Sequence, residues 1–178
     1  MTLLLVGEAA FFLHNYERAQ QAYSEGLRAA NAVGKTRTAV YRMIRLGQVA
    51  HAQGEPDQAV AQILAGLRLA SQINNKWGMI MAFTGLANLA VTLDKPQLTV
   101  WLLAAVDRHL TRSGVRLWPV DNWQYAQSMT AVRAQLDEVS FEQEWTTGCT
   151  SSLEQLIEAC NEIAVSHSPM PLCQTCSS

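Results

Sequence analysis

The side chains best suited to chemistry lie near the end of the chain, in Cys173-Gln174-Thr175-Cys176. A C-x-x-C pair offers two thiolates at a spacing that zinc accepts, but a structural site takes four ligands, and the nearest others are Cys160 and His167. Such a site would tie the tail back onto the last helix. The sparse apolar pattern of "SHSPMPLCQTCSS" favours a loose, reduced tail instead. Thioredoxin-like exchange needs a helix N-terminus in a βαβ setting, which the sequence does not offer. The four cysteines, 149, 160, 173 and 176, crowd into the last thirty residues. A disulfide framework would staple the whole length, so this distribution points to a reducing, cytoplasmic setting.

The other reactive side chains are scattered. His14, His51, His109 and His167 fall in different segments and never approach metal-ligand spacing, so no metal is expected. Glu142 and Glu144 share a short terminal segment and read as a solvated face. No phosphate-binding loop, dinucleotide fingerprint, zinc-protease helix or nucleophile elbow occurs, and nothing pairs a nucleophile with a base. The expectation is a non-enzyme without a cofactor. Lys35, Arg37, Arg42 and Arg45 surround Tyr41 and form the one basic cluster that could meet phosphate. A net charge of −2 supplies no field for nucleic acid, so the cluster reads as a solvated helix end. Apolar content of 49% and charged content of 16% are those of a globular chain, and no apolar run reaches membrane-spanning length. The opening "MTLLLVGEAAFFLHNYER" lacks a positive leader and is interrupted by Glu8, so it reads as a helix of the fold rather than a signal peptide.

The elements that position these residues repeat. Shifted by forty residues, Gly7 falls on Gly47 and Ala87, Ala10 on Ala50 and Ala90, and Gly26-Leu27-Arg28 on Gly66-Leu67-Arg68. The turns His14-Asn15-Tyr16, Gly54-Glu55-Pro56 and Asp94-Lys95-Pro96 keep the same register, with a second break at Gly34, Asn74 and Gly114. Pro56 and Pro96 suit a first helical turn, and Gly or Asn suits a helix end. The spacing predicts helices over 2–13, 16–33, 36–53, 56–73, 76–93, 96–112 and 119–136. Two shorter ones follow, opened by capping boxes at Ser140-x-x-Gln143 and Ser151-x-x-Glu154. The predicted fold is all-α, an α-solenoid of helix–turn–helix repeats with a period of about forty residues. Its units are 1–34, 35–74, 75–114 and 115–137, closed by a helical cap over 138–165 and a disordered tail over 166–178. A helical Gly costs ~1 kcal/mol against Ala, so a recurring one signals close backbone approach. Gly47 and Ala59 are expected to face a partner helix, flanked by Met43, Leu46, Ile63 and Leu67.

The stretch "LGQVAHAQGEPDQAVAQILAGLRLA" resembles the tetratricopeptide (TPR) repeat in its longer-period form. The later stretch from "WLLAAVDRHL" through "FEQEW" to "SLEQLIEAC" looks like the closing segment of ATP-dependent signalling regulators, the LuxR-type transcriptional activators among them. The resemblance covers residues 1 to about 165. It implies the regulatory or sensor end of a signalling or transcription-regulator protein, in a bacterial cytoplasm. The nucleotide-binding and helix-turn-helix domains of those regulators have no counterpart here, so neither ATP hydrolysis nor DNA binding carries over.

In such a stack the first helix of each unit lines the concave side. The first unit presents Glu8 and Phe12 there, and the second Tyr41, Arg45, Gln48 and His51. The third presents Met81, Thr84 and Asn88, and the fourth Asp121 and Gln124. Aromatic, Met and amide side chains suit recognition of a protein or peptide, with no nucleic acid or membrane as partner. The alternative is a ligand-sensing solenoid that holds a small molecule in the same groove. The N-terminal helix stands apart. Leu3, Leu4, Leu5, Phe11 and Phe12 surround it, more than one neighbouring helix can bury, and self-association through it is expected.

Overall fold

The computed structural model describes residues 2–166; the C-x-x-C pair, His167 and the tail expected to be disordered lie outside them. Among the described residues there are nine helices and no strand. They are α1 (Thr2–Phe12), α2 (Tyr16–Ala32), α3 (Thr36–Ala52), α4 (Pro56–Gln72), α5 (Lys76–Thr92), α6 (Pro96–Ser113), α7 (Pro119–Gln135), α8 (Glu138–Thr150) and α9 (Leu153–Ser166). No described helix is long and apolar enough to cross a membrane.

The first five links are copies of one device. His14, Gly34, Gly54, Asn74 and Asp94 all take a left-handed backbone, with φ between 50° and 80°. After each, the next N–H reaches back to the carbonyl of Ala10, Ala30, Ala50, Ala70 or Ala90 at 2.7–2.9 Å. The left-handed residues themselves donate to Phe11, Asn31, His51, Ser71 and Val91. These paired bonds satisfy helix-end carbonyls that would otherwise stay open. The five alanines are buried, because the chain reverses tightly over them. Twenty residues therefore separate consecutive helix starts from α2 to α6.

Small residues set the depth of packing between the helices. A Cβ on Gly47 would stand 2.5 Å from Ile63 Cγ1 and 2.9 Å from the Ala59 carbonyl oxygen, so α3 and α4 meet backbone to side chain. Tyr23 of α2 occupies the same place over Gly7 of α1, and Ile44 of α3 over Gly66 of α4. The main core runs through α3, α4, α5 and α6, where Ile44, Ile63, Leu67, Met81, Leu86 and Leu103 are fully enclosed. A second, smaller cluster gathers Phe11, Ala19, Tyr23 and Val49 with Val120 of α7.

The sixth link breaks the pattern. Gly114 is again left-handed (φ 65°), but its N–H returns to Leu110, and the chain then stays extended to Trp118. Pro119 favours that extended residue before it and opens α7. The longer link lets α7 pack mainly on α5 and reach across to α3. Helix α8 lies on α6, and α9 lies on α4 and α6.

Both expected capping boxes move. Asp137, not Ser140, caps α8, accepting from the Ser140 N–H at 3.0 Å. The box of α9 is Ser152 with Gln155, each side chain bonded to the other's backbone N–H at 3.2 and 2.8 Å. The chain offers several Ser, Asp and Glu in a row at each point, and the turn geometry selects among them.

Candidate functional site

On α3, Tyr41, Arg45, Gln48 and His51 follow one another at helical spacing and share one face. Asp121, Gln124 and Ser128 do the same on α7. The two faces meet. Arg45 forks onto Asp121 through two bonds, Nη1 to Oδ1 at 2.7 Å and Nη2 to Oδ2 at 2.9 Å. Its Nη1 also donates to Gln48 Oε1 at 2.7 Å, and its Nη2 to Glu8 Oε1 on α1 at 3.1 Å. Gln48 passes the chain on, donating to Gln124 Oε1 at 2.8 Å. Farther along α7, Ser128 donates to the Gln124 carbonyl and accepts a long bond of 3.4 Å from Asn88 of α5.

This seam is dry. Arg45 is 1% exposed and Asp121 fully enclosed, so two opposite charges face each other without solvent. Burial alone would pull the Arg45 pKa down; the charge and hydrogen bonds of Asp121 outweigh it and hold the guanidinium cationic above its usual range. Beside it, burial raises the Tyr23 phenol well above the ordinary range, against the pull of Arg45. Arg42 lies 6.0 Å over the Tyr23 ring and sets its guanidinium, Nε foremost, in the space above Gly26.

The expected groove is therefore filled by the chain's own α7. Arg45, Gln48, Met81, Thr84, Asp121 and Gln124 are all buried, so none of these side chains is presented to a partner in this structure. Thr84 turns back onto the Ile80 carbonyl at 2.9 Å, inside α5. Past the sixth link, α7 starts three residues later than the twenty-residue rhythm would place it, lies on α5 and turns Asp121 and Gln124 toward α3. Of the remaining expected residues, Phe12 is exposed, while Glu8, Tyr41, His51 and Asn88 are half-buried at the edges of the seam. Tyr41 stacks edge-on against Trp118, and His51 bonds Thr92 at 3.1 Å.

The basic cluster divides in the same way. Lys35 and Arg37 are exposed, but Arg42 and Arg45 point inside. Glu144 is engaged by the Trp101 indole N–H. Among the described residues no group of three or more His, Cys, Asp or Glu could hold a metal ion. Sequence reasoning missed Ser128, which bonds Asn88 and the Gln124 carbonyl, and Tyr23, whose enclosed phenol packs beside Arg45 without a hydrogen-bond partner. An available signal was the opposite charge of Arg45 and Asp121 on two first-helix faces. No protein-family model, curated protein or solved structure matches the chain.

Proposed function

We propose that the chain is a non-catalytic protein-interaction module, an α-solenoid of the tetratricopeptide kind with a helical cap. Its place is the regulatory end of a cytoplasmic signalling or transcription-regulator protein. The forty-residue register of small residues, the repeated turn and the contacts between alternate helices α3, α5 and α7 support the architecture. The link to signalling regulators rests on the resemblance of residues 101–163 alone.

The observation that carries an interaction role is the uncovered face of α1. Glu8, turned to Arg45, is the one charged residue of this otherwise mostly apolar helix, and α2 covers only one side of it. Leu5 is left 59% exposed, Phe12 44% and Leu13, in the link that follows, 78%. Contiguous apolar surface of this kind marks an interface on a soluble chain. The occupant it fits is an amphipathic protein helix, laid on α1 as α2 is laid on its other side. In a solution of this chain alone only a second copy can supply that helix, so self-association reads out the site. Light scattering on the wild type should show a mass that climbs toward a dimer with concentration, while Leu5→Glu with Leu13→Glu stays monomeric. A wild type that remains a monodisperse monomer at high concentration overturns this assignment.

A further inference from the structure

A cavity of about 230 Å³ opens between the start of α5, the end of α6 and the start of α9, away from the Arg45 seam. Its apolar wall is made by Met79, Ile80, Phe83, Ala105, Leu153 and Leu156. Asn74, Lys76, Arg108 and His109 complete the lining. The space holds about seven or eight water volumes, which is the size of one small ring or a short acyl chain.

Three features give this cavity a chemical preference. Its polar side is cationic, although the chain as a whole carries a net charge of −2. Arg108 is held in place: its Nη1 donates to the carbonyls of Cys149 and Ser151 where α8 ends, acceptors that bring no carboxylate to it. Burial lowers the His109 pKa, and the charges of Lys76, Arg108 and Arg112, all of one sign, lower it further. Basic groups gathered without a carboxylate among them, beside an apolar wall, complement an anion with an apolar body.

We propose that this cavity is a binding site for a small apolar carboxylate, its ring or chain against Met79, Phe83 and Leu156 and its carboxylate between Lys76, Arg108 and His109. The site is independent of the α1 interface and of the filled groove. A bound carboxylate replaces a cationic surrounding by a mixed one, so the His109 imidazole should titrate at higher pH when the site is occupied.

The test uses phenylacetate as probe, with 2-phenylethanol and phenethylamine as neutral and cationic controls of similar shape. NMR titration of the histidine side chains, with His109 assigned by its loss in His109→Gln, should show saturable phenylacetate binding and a rise in the His109 pKa. The neutral alcohol should bind about tenfold more weakly, the worth of a charge-assisted bond, and the amine not at all. Lys76 is exposed at the start of a helix, where an acidic residue is well tolerated, so Lys76→Glu keeps the fold and should weaken phenylacetate by at least that factor. Ala105→Phe should fill the cavity and abolish binding of both the acid and the alcohol. Equal binding of acid and alcohol, an unmoved His109 pKa, or unchanged affinity in Lys76→Glu would each overturn the proposal.

Discussion

Arg45 and Asp121 decide whether α7 can stay where it is. Removing one member of an enclosed ion pair leaves the other charged and buried without its main partner, although Arg45 would keep Glu8 at 3.1 Å, at a cost of up to about 3–5 kcal/mol. Asp121→Asn and Arg45→Met should each lower the unfolding free energy measured in urea by that order. Arg45→Met combined with Asp121→Leu should recover most of the loss, because apolar side chains fill the same space without stranded charge. A double variant as unstable as the sum of the two single ones would mean that the residues do not act as a pair. His51 gives a second residue-scale prediction. Burial lowers its pKa, and a hydrogen bond with Asn88 offsets this only in part. The folded protein therefore prefers the neutral ring, while the unfolded chain takes up a proton near the ordinary value of about 6.5. Stability from this group is complete above that value and falls as the pH drops below it. Urea midpoints measured between pH 8 and pH 5 should decline less steeply in His51→Gln than in the wild type.

The helices and their links were the most legible part of the sequence. Gly34, Asn74 and Gly114, picked out as helix ends, all adopt the left-handed backbone, and Pro56 and Pro96 open helices. Gly47 does face Ala59, as the repeat register implied. The caps of α8 and α9 were less legible, because neighbouring Ser and Asp side chains compete for one role. Substitution at the small positions separates packing from backbone effects. Gly47→Ala should cost about 1–3 kcal/mol, since the new methyl meets Ile63 and a carbonyl oxygen that belongs to the backbone. Asp94→Gly should instead stabilise by about 0.5–1 kcal/mol, because Asp94 holds a φ of 53° that glycine adopts without steric cost. Thermal melts would separate the two, and a stabilising Gly47→Ala would contradict the close approach of α3 and α4.

At the scale of the whole molecule, the all-helical class followed from periodicity, but the fate of the concave face did not. Local patterns report which face of a helix is polar; they do not report whether another helix will lie on it. That depends on where α7 comes to lie after the link from Gly114 to Trp118, which is a matter of tertiary packing rather than of any motif inside it.

The bond between Arg45 and Asp121 spans 76 positions of the chain. Stacked repeats ordinarily touch only their neighbours, behave like beads in a row, and can melt inward from either end. Here a clasp thrown from α7 back to α3, with Glu8 of α1 drawn in, fastens distant beads to one another. Helices α1 and α7 then gain protection from each other's packing through Arg45, and opening either requires opening the clasp. Hydrogen exchange should accordingly show α1, α3 and α7 exchanging at a common rate, as one cooperative unit. In Asp121→Asn the protection of α1 and α7 should fall ahead of that of α4 and α5. Graded, end-to-centre protection already present in the wild type would show that the row of beads was never closed.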